Sequence, residues 1–123
     1  MTDKEKLTQI RKIEGIDVDS GLNNIAGMIA AYLRILGVFV KNWERDKYLL
    51  DSHLNSEDME AFELTVHGYK SALANMGMLE ASELSFKLEM AAKSGDREYI
   101  TGNLAEYLDS VQALVDKIRP VLE

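Results

Sequence analysis

Apolar residues recur along this chain in steps of three and four, the period of an α-helix. Residues 3–13 form a polar lead-in arm or short helix whose apolar anchors are Leu7 and Ile10. Asp17, Asp19 and Ser20 can each cap a helix start, which predicts a short helix over about 18–27, closed by Gly27. A long helix over about 29–50 follows, with its stripe at Ile29, Tyr32, Leu33, Leu36, Phe39, Val40 and Trp43. The run DSHLNS (51–56) is predicted as a loop, with Asn55 or Ser56 capping the next helix. That helix reaches about Met76 on a seam of Met59, Phe62, Val66, Tyr69, Leu73 and Met76, and Gly77 ends or bends it. Another runs from about Leu79 to Ala92 and stops at Ser94-Gly95. Asp96 caps the last, whose seam is Leu104, Leu108, Val111, Val115, Ile118 and Leu122. Four substantial amphipathic helices with short connections predict an all-α fold, an antiparallel up-down four-helix bundle with short additional N-terminal helices.

A length of 123 residues fits one domain, with residues 1–13 as the arm and 14–123 as the core. Hydrophobic residues make up 46 % of the chain and charged residues 28 %, enough for a core and for a solvated surface. The one proline, Pro120, lies near the end and breaks nothing in the body. Cysteine is absent, which excludes disulfides, thiolate catalysis and Cys-ligated zinc. The start MTDKEKLTQIRK carries no apolar signal segment, and the apolar stretch from Ile25 to Val40 is too short for a membrane span. The expected setting is therefore cytoplasmic, with no membrane partner. A net charge of −7 without a basic stripe argues against a nucleic-acid partner.

Candidate chemistry centres on the two histidines, whose ordinary titration falls nearest neutral pH. His53 falls in the expected polar loop and reads as a solvated side chain. His67 lies inside a helix, and at about 100° per residue it points roughly 130° away from the buried seam. Its neighbours on that face are Glu60, Glu63, Leu64, Lys70, Ser71 and Ala74. Ser71 and Ala74 leave little bulk beside the imidazole, and Leu64 is an apolar residue at an exposed position. Lys70, one turn on, can approach a group attached to the ring. An ordinary exposed imidazole is a competent nucleophile, and a cation at this spacing would neutralise phosphoryl oxygens.

The segment HGYKSALANMGMLEASELSFKLEMAAKSGD (67–96) resembles the signature of histidine-containing phosphotransfer (HPt) domains. In that family a histidine is followed three positions on by a lysine and then a small residue. A glycine comes ten positions after the histidine, then a Leu-Glu or Leu-Gln pair, and finally Gly-Asp. Here those places hold His67, Lys70, Ser71, Gly77, Leu88-Glu89 and Gly95-Asp96. Upstream, GIDVDSGLNNIAGMIAAYLRILGVF (15–39) resembles the family's Gly-Ile-Asp, Gly-Leu and Tyr-Leu stretch, so the likeness covers about residues 13–122. Ser71 departs from the usual glycine, and Asn24 stands where arginine is frequent.

The resemblance implies a four-helix bundle that acts as a phosphorelay intermediate, with His67 as the phosphorylated residue and no ATP-dependent kinase activity of its own. It implies that Lys70 steadies the phosphoryl oxygens. Glu89 would accept a hydrogen bond from Nδ1 and leave Nε2 as nucleophile, and Lys93 would assist from a position that is often basic. The implied partners are response-regulator receiver domains and a hybrid sensor histidine kinase. No cofactor is expected on this chain, magnesium being expected on the receiver. Leu64, Ser71, Ala74 and Lys93 are the expected docking residues, with Ile25 or Met28 as further candidates from the short helix.

Three other readings stand beside this one. A metal-binding bundle lacks its ligand set, because no Glu-x-x-His occurs. An interaction module without phosphotransfer would use the same face and keep His67 only as a contact. The chain is also readable as a module cut from a larger hybrid kinase. Met76, Met78 and Met90 are read as core filler, and a monomer is expected because no seam is left uncovered.

Overall fold

Local chemistry sets most helix ends in the computed structural model, which describes residues 1–123. Thr2 and Glu5 form a capping box that opens α1 (Asp3–Arg11). Asp17 caps α2 (Val18–Asn23) by accepting from Ser20 N at 3.1 Å. The chain then turns through Gly27 into α3 (Ile29–Asp46), so α2 is shorter than its sequence signals indicated. Asp58 caps α5 (Met59–Asn75) through Ala61 N, and Asp96 caps α7 (Arg97–Leu122) through Tyr99 N. Between these, α6 (Leu79–Ser94) ends on Gly95 at φ +72°.

One expectation fails between α3 and α5. The long helix stops at Asp46, and the expected loop 51–56 lies largely in a helix of its own, α4 (Leu49–Asn55). Leu50 is fully buried and Leu54, one turn on, packs against the core, so two apolar residues suffice to fold a polar-looking stretch onto α5. The α5 cap is accordingly Asp58, not Asn55 or Ser56.

Helices α3, α5, α6 and α7 form the antiparallel bundle, closed over one continuous cluster of 28 buried apolar residues. The predicted seams face inward, although Ile29, Met59, Tyr69, Leu108 and Leu122 are only partly buried. Met76 and Met78 are fully buried, whereas Met90 is exposed and is not core filler. In α1, Leu7 and Ile10 are buried, and the helix packs against α3 and α7. No helix is long and apolar enough to cross a membrane.

Both ends of α5 are tied down. At its N-terminal half, His53 Nε2 on α4 lies 3.2 Å from Thr65 Oγ1, so His53 is a half-buried helix residue and not part of a solvated loop. Further along, Tyr69 OH donates to Asp46 on α3 at 2.8 Å, and its ring meets Trp43 edge-on at 5.3 Å. At the C-terminal end, Gly77 takes φ +88°, and its carbonyl accepts from Asp17 N at 2.8 Å. A Cβ on Gly77 would run into the Asp17 carbonyl oxygen. Tyr32 OH donates to Met76 O at 2.8 Å, and Asn24 Nδ2 donates to Asn75 O at 3.1 Å. These donors satisfy carbonyls that the last turn of a helix leaves unpaired. The helix that carries His67 is thus held by α2, α3 and α4 as well as by α6.

Candidate functional site

His67 sits midway along α5 with its side chain 55 % exposed, pointing away from the seam of Phe62, Val66 and Leu73. Its Nδ1 lies 2.6 Å from Glu89 Oε2 on α6. Glu89 is 4 % exposed, so a buried carboxylate accepts from the inner nitrogen and Nε2 is left to the outside. Burial pushes the Glu89 carboxyl up, but the hydrogen bond from His67 and the nearby charge of Lys70 bring it below its ordinary value. It is therefore an anion at neutral pH, able to balance positive charge on the imidazole.

Two lysines converge on the same carboxylate. Lys70 Nζ is 3.4 Å from Glu89 Oε1, and Lys93 Nζ is 3.6 Å from Oε2 and 3.9 Å from Glu63 Oε1. Neither makes a close hydrogen bond, and Oε1 has no hydrogen-bond partner although it is buried. Lys70 also lies over the Phe86 ring, 5.3 Å from its centroid, a cation–π distance that orders its long side chain beside the imidazole. No three histidine, aspartate or glutamate side chains gather in a cluster that would hold a metal ion.

Among the charged groups around His67, short and apolar side chains also reach the surface. Leu64 is 64 % exposed and Ser71 is exposed, whereas Ala74 is half-buried and contributes only an edge. Leu64, Gly68 and Leu49 line a groove of about 300 Å³ where α3, α4 and α5 meet. On the other side, Phe86, Met90 and Tyr99 line one of about 580 Å³ between α6 and α7. Met28 is exposed on the segment after α2, and Ile25 is half-buried against the core.

Two residues of this site were not singled out from the sequence. Phe86 lacked any signal, since its role depends on which helices become neighbours. Gly68 did carry one: a glycine in the interior of a 17-residue helix, next to the histidine, lowers helix stability without a packing reason. A Cβ there would meet nothing within 4 Å.

An outward-facing histidine on one bundle helix is thus paired with a buried carboxylate from the next. The family model described as the Hpt domain matches residues 34–119, and the chain belongs to that family. Membership makes it a phosphotransfer module of two-component systems, which work through receiver domains and histidine kinases. No curated protein and no solved structure matches the chain.

Proposed function

We propose that this protein is a phosphorelay intermediate that takes a phosphoryl group onto Nε2 of His67 from the aspartyl phosphate of a receiver domain and hands it to a second receiver. The observation that carries the reading is the 2.6 Å contact of Nδ1 with the buried Glu89 carboxylate, which leaves the outward nitrogen as the nucleophile. In the forward step, the Nε2 lone pair attacks phosphorus and the bond to the aspartate oxygen breaks, returning that carboxylate. The Nδ1 proton stays on the ring, and Glu89 offsets the positive charge the imidazole then bears. The return step is the same exchange in reverse.

Lys70 is proposed to leave its loose contact with Glu89 Oε1 and meet the phosphoryl oxygens, with Lys93 assisting from the next helix. Such transfers depend on alignment and charge neutralisation more than on covalent machinery. The receiver brings the acidic pocket and its magnesium, which neutralises phosphoryl charge when bound. Leu64, Gly68, Ser71 and the edge of Ala74 are the proposed docking surface, low enough to admit the histidine into that pocket. The donor receiver in this reading belongs to a hybrid sensor histidine kinase.

The test is incubation with a receiver charged on its aspartate with labelled phosphate, comparing wild type with His67→Gln. Acid-labile, base-stable label on wild type alone is the expected result. Label on the variant would move the acceptor elsewhere. A folded wild type that accepts from no receiver would leave an interaction module without phosphotransfer.

A further inference from the structure

Tyrosine and tryptophan aside, the polar residues buried in this bundle are Ser82, Ser85 and Glu89, and all three lie on α6. Their spacing of three and four puts them on one stripe, and each one bonds to α5 at the level of His67. Ser82 Oγ donates to the Lys70 carbonyl at 2.8 Å, Ser85 Oγ donates to the Val66 carbonyl at 3.0 Å, and Glu89 accepts from the His67 ring. The two carbonyls lie inside α5 and already serve the helix ladder, so the serines add a second bond to each. Ser85 goes one helix further, since its Oγ is 2.8 Å from Tyr107 OH on α7. A hydroxyl has one proton, and that of Ser85 goes to Val66, so Tyr107 is the donor. Both side chains are buried, and the Tyr107 ring is fixed edge-on against Trp43 at 6.2 Å. A chain of donors thus runs from α7 through α6 to the peptide group that leads into His67.

We infer that Ser85, oriented by Tyr107, is a positioning residue for the phosphoryl acceptor: it fixes the register of α5 against α6 so that Glu89 meets Nδ1 of His67 and Nε2 is presented outward. The inference rests on the reading of His67 given above. Apolar packing alone resists sliding weakly, because adjacent registers bury similar surface. A buried hydroxyl that keeps its partner in only one register penalises every other. A slide of about 1.5 Å, the rise of one residue, would stretch and bend the bond between His67 and Glu89.

The test pairs two variants, Ser85→Ala and Tyr107→Phe, with two readouts. Imidazole ¹⁵N shifts at mildly alkaline pH, where an ordinary histidine is neutral, report the tautomer of His67. Transfer from a phosphorylated receiver reports the rate constant and the half-saturating receiver concentration separately. Wild type should hold the Nδ1–H tautomer. Ser85→Ala should relax it toward a mixture and lower the saturated rate constant by about tenfold, with half-saturation unchanged. Tyr107→Phe, which keeps the ring, should shift both in the same direction by less, and it carries the test if Ser85→Ala does not fold. Folded variants with the wild-type tautomer and rate constant would make Ser85 a packing residue and overturn the inference. Failure of the phosphoryl reading looks different: wild type itself would take no label, while the tautomer shift would still report the positioning.

Discussion

Nδ1 of His67 and Oε2 of Glu89 stand 2.6 Å apart, joining an outward-facing ring to a carboxylate sealed inside the bundle. Glutamine removes the carboxylate charge that faces Lys70, Lys93 and the ring but can still accept from Nδ1 through its amide oxygen, whereas alanine removes the acceptor as well. Glu89→Gln should therefore be slowed less than Glu89→Ala. Glu89→Ala should be slower by about tenfold to a hundredfold, as the loss of a charge-assisted hydrogen bond of about 1.5–3 kcal/mol requires. Single-turnover kinetics with a phosphorylated receiver decides it, and wild-type rates in both variants would remove Glu89 from the mechanism.

The same carboxylate has a pH signature. Its folded value lies below its ordinary one, so its contribution to stability is complete above the ordinary carboxylate range and is lost as pH falls through the folded value. Wild-type stability should decline on acidification below about pH 4.3. Glu89→Gln should decline less steeply over that window, as followed by urea midpoints at a series of pH values. Parallel curves would mean that other carboxylates, Asp46 and Glu44 among them, account for the acid sensitivity.

Lys70 is separable from the nucleophile. Lys70→Ala should fold normally and accept label at a rate reduced by about tenfold or more, because a cation aimed at developing phosphoryl charge is lost. A wild-type rate constant, read in the same transfer assay, would make Lys70 a surface charge resting on Phe86.

Two glycines should respond to alanine in opposite directions. Gly77→Ala places a Cβ against the Asp17 carbonyl at a left-handed φ and should cost at least about 2 kcal/mol in urea unfolding. Gly68→Ala meets nothing and should gain about 0.5–1 kcal/mol from helix propensity. The bulkier Gly68→Gln should leave the fold intact and weaken receiver binding, measured by titration calorimetry. Unchanged affinity would take the Leu64–Ser71 surface out of the docking face.

The four bundle helices were legible in the sequence because a stripe of apolar residues at helical spacing admits one buried face. Residues 49–55 were not, since turn-forming Asp51, Ser52 and Asn55 outweigh Leu50 and Leu54 by any local reading. Met90 misled in the other direction: its spacing matches a core position, but the groove beside Tyr99 leaves it exposed. The outward bearing of His67 followed from periodicity alone. Its pairing with Glu89 did not, because periodicity fixes which way each helix faces and says nothing about how far one is slid along another. That expectation came from the family pattern, and Ser82, Ser85 and Tyr107 supply a physical basis for the register.

The openness of the His67 ring carries a cost in time. A phosphoryl group held on Nε2 would have bulk water as its neighbour on the outer side, and an N–P bond in that setting hydrolyses at a pace set by its own chemistry. The protein would then work as a courier with a perishable load, so the abundance of waiting receivers, as much as any affinity, would decide whether the signal arrives.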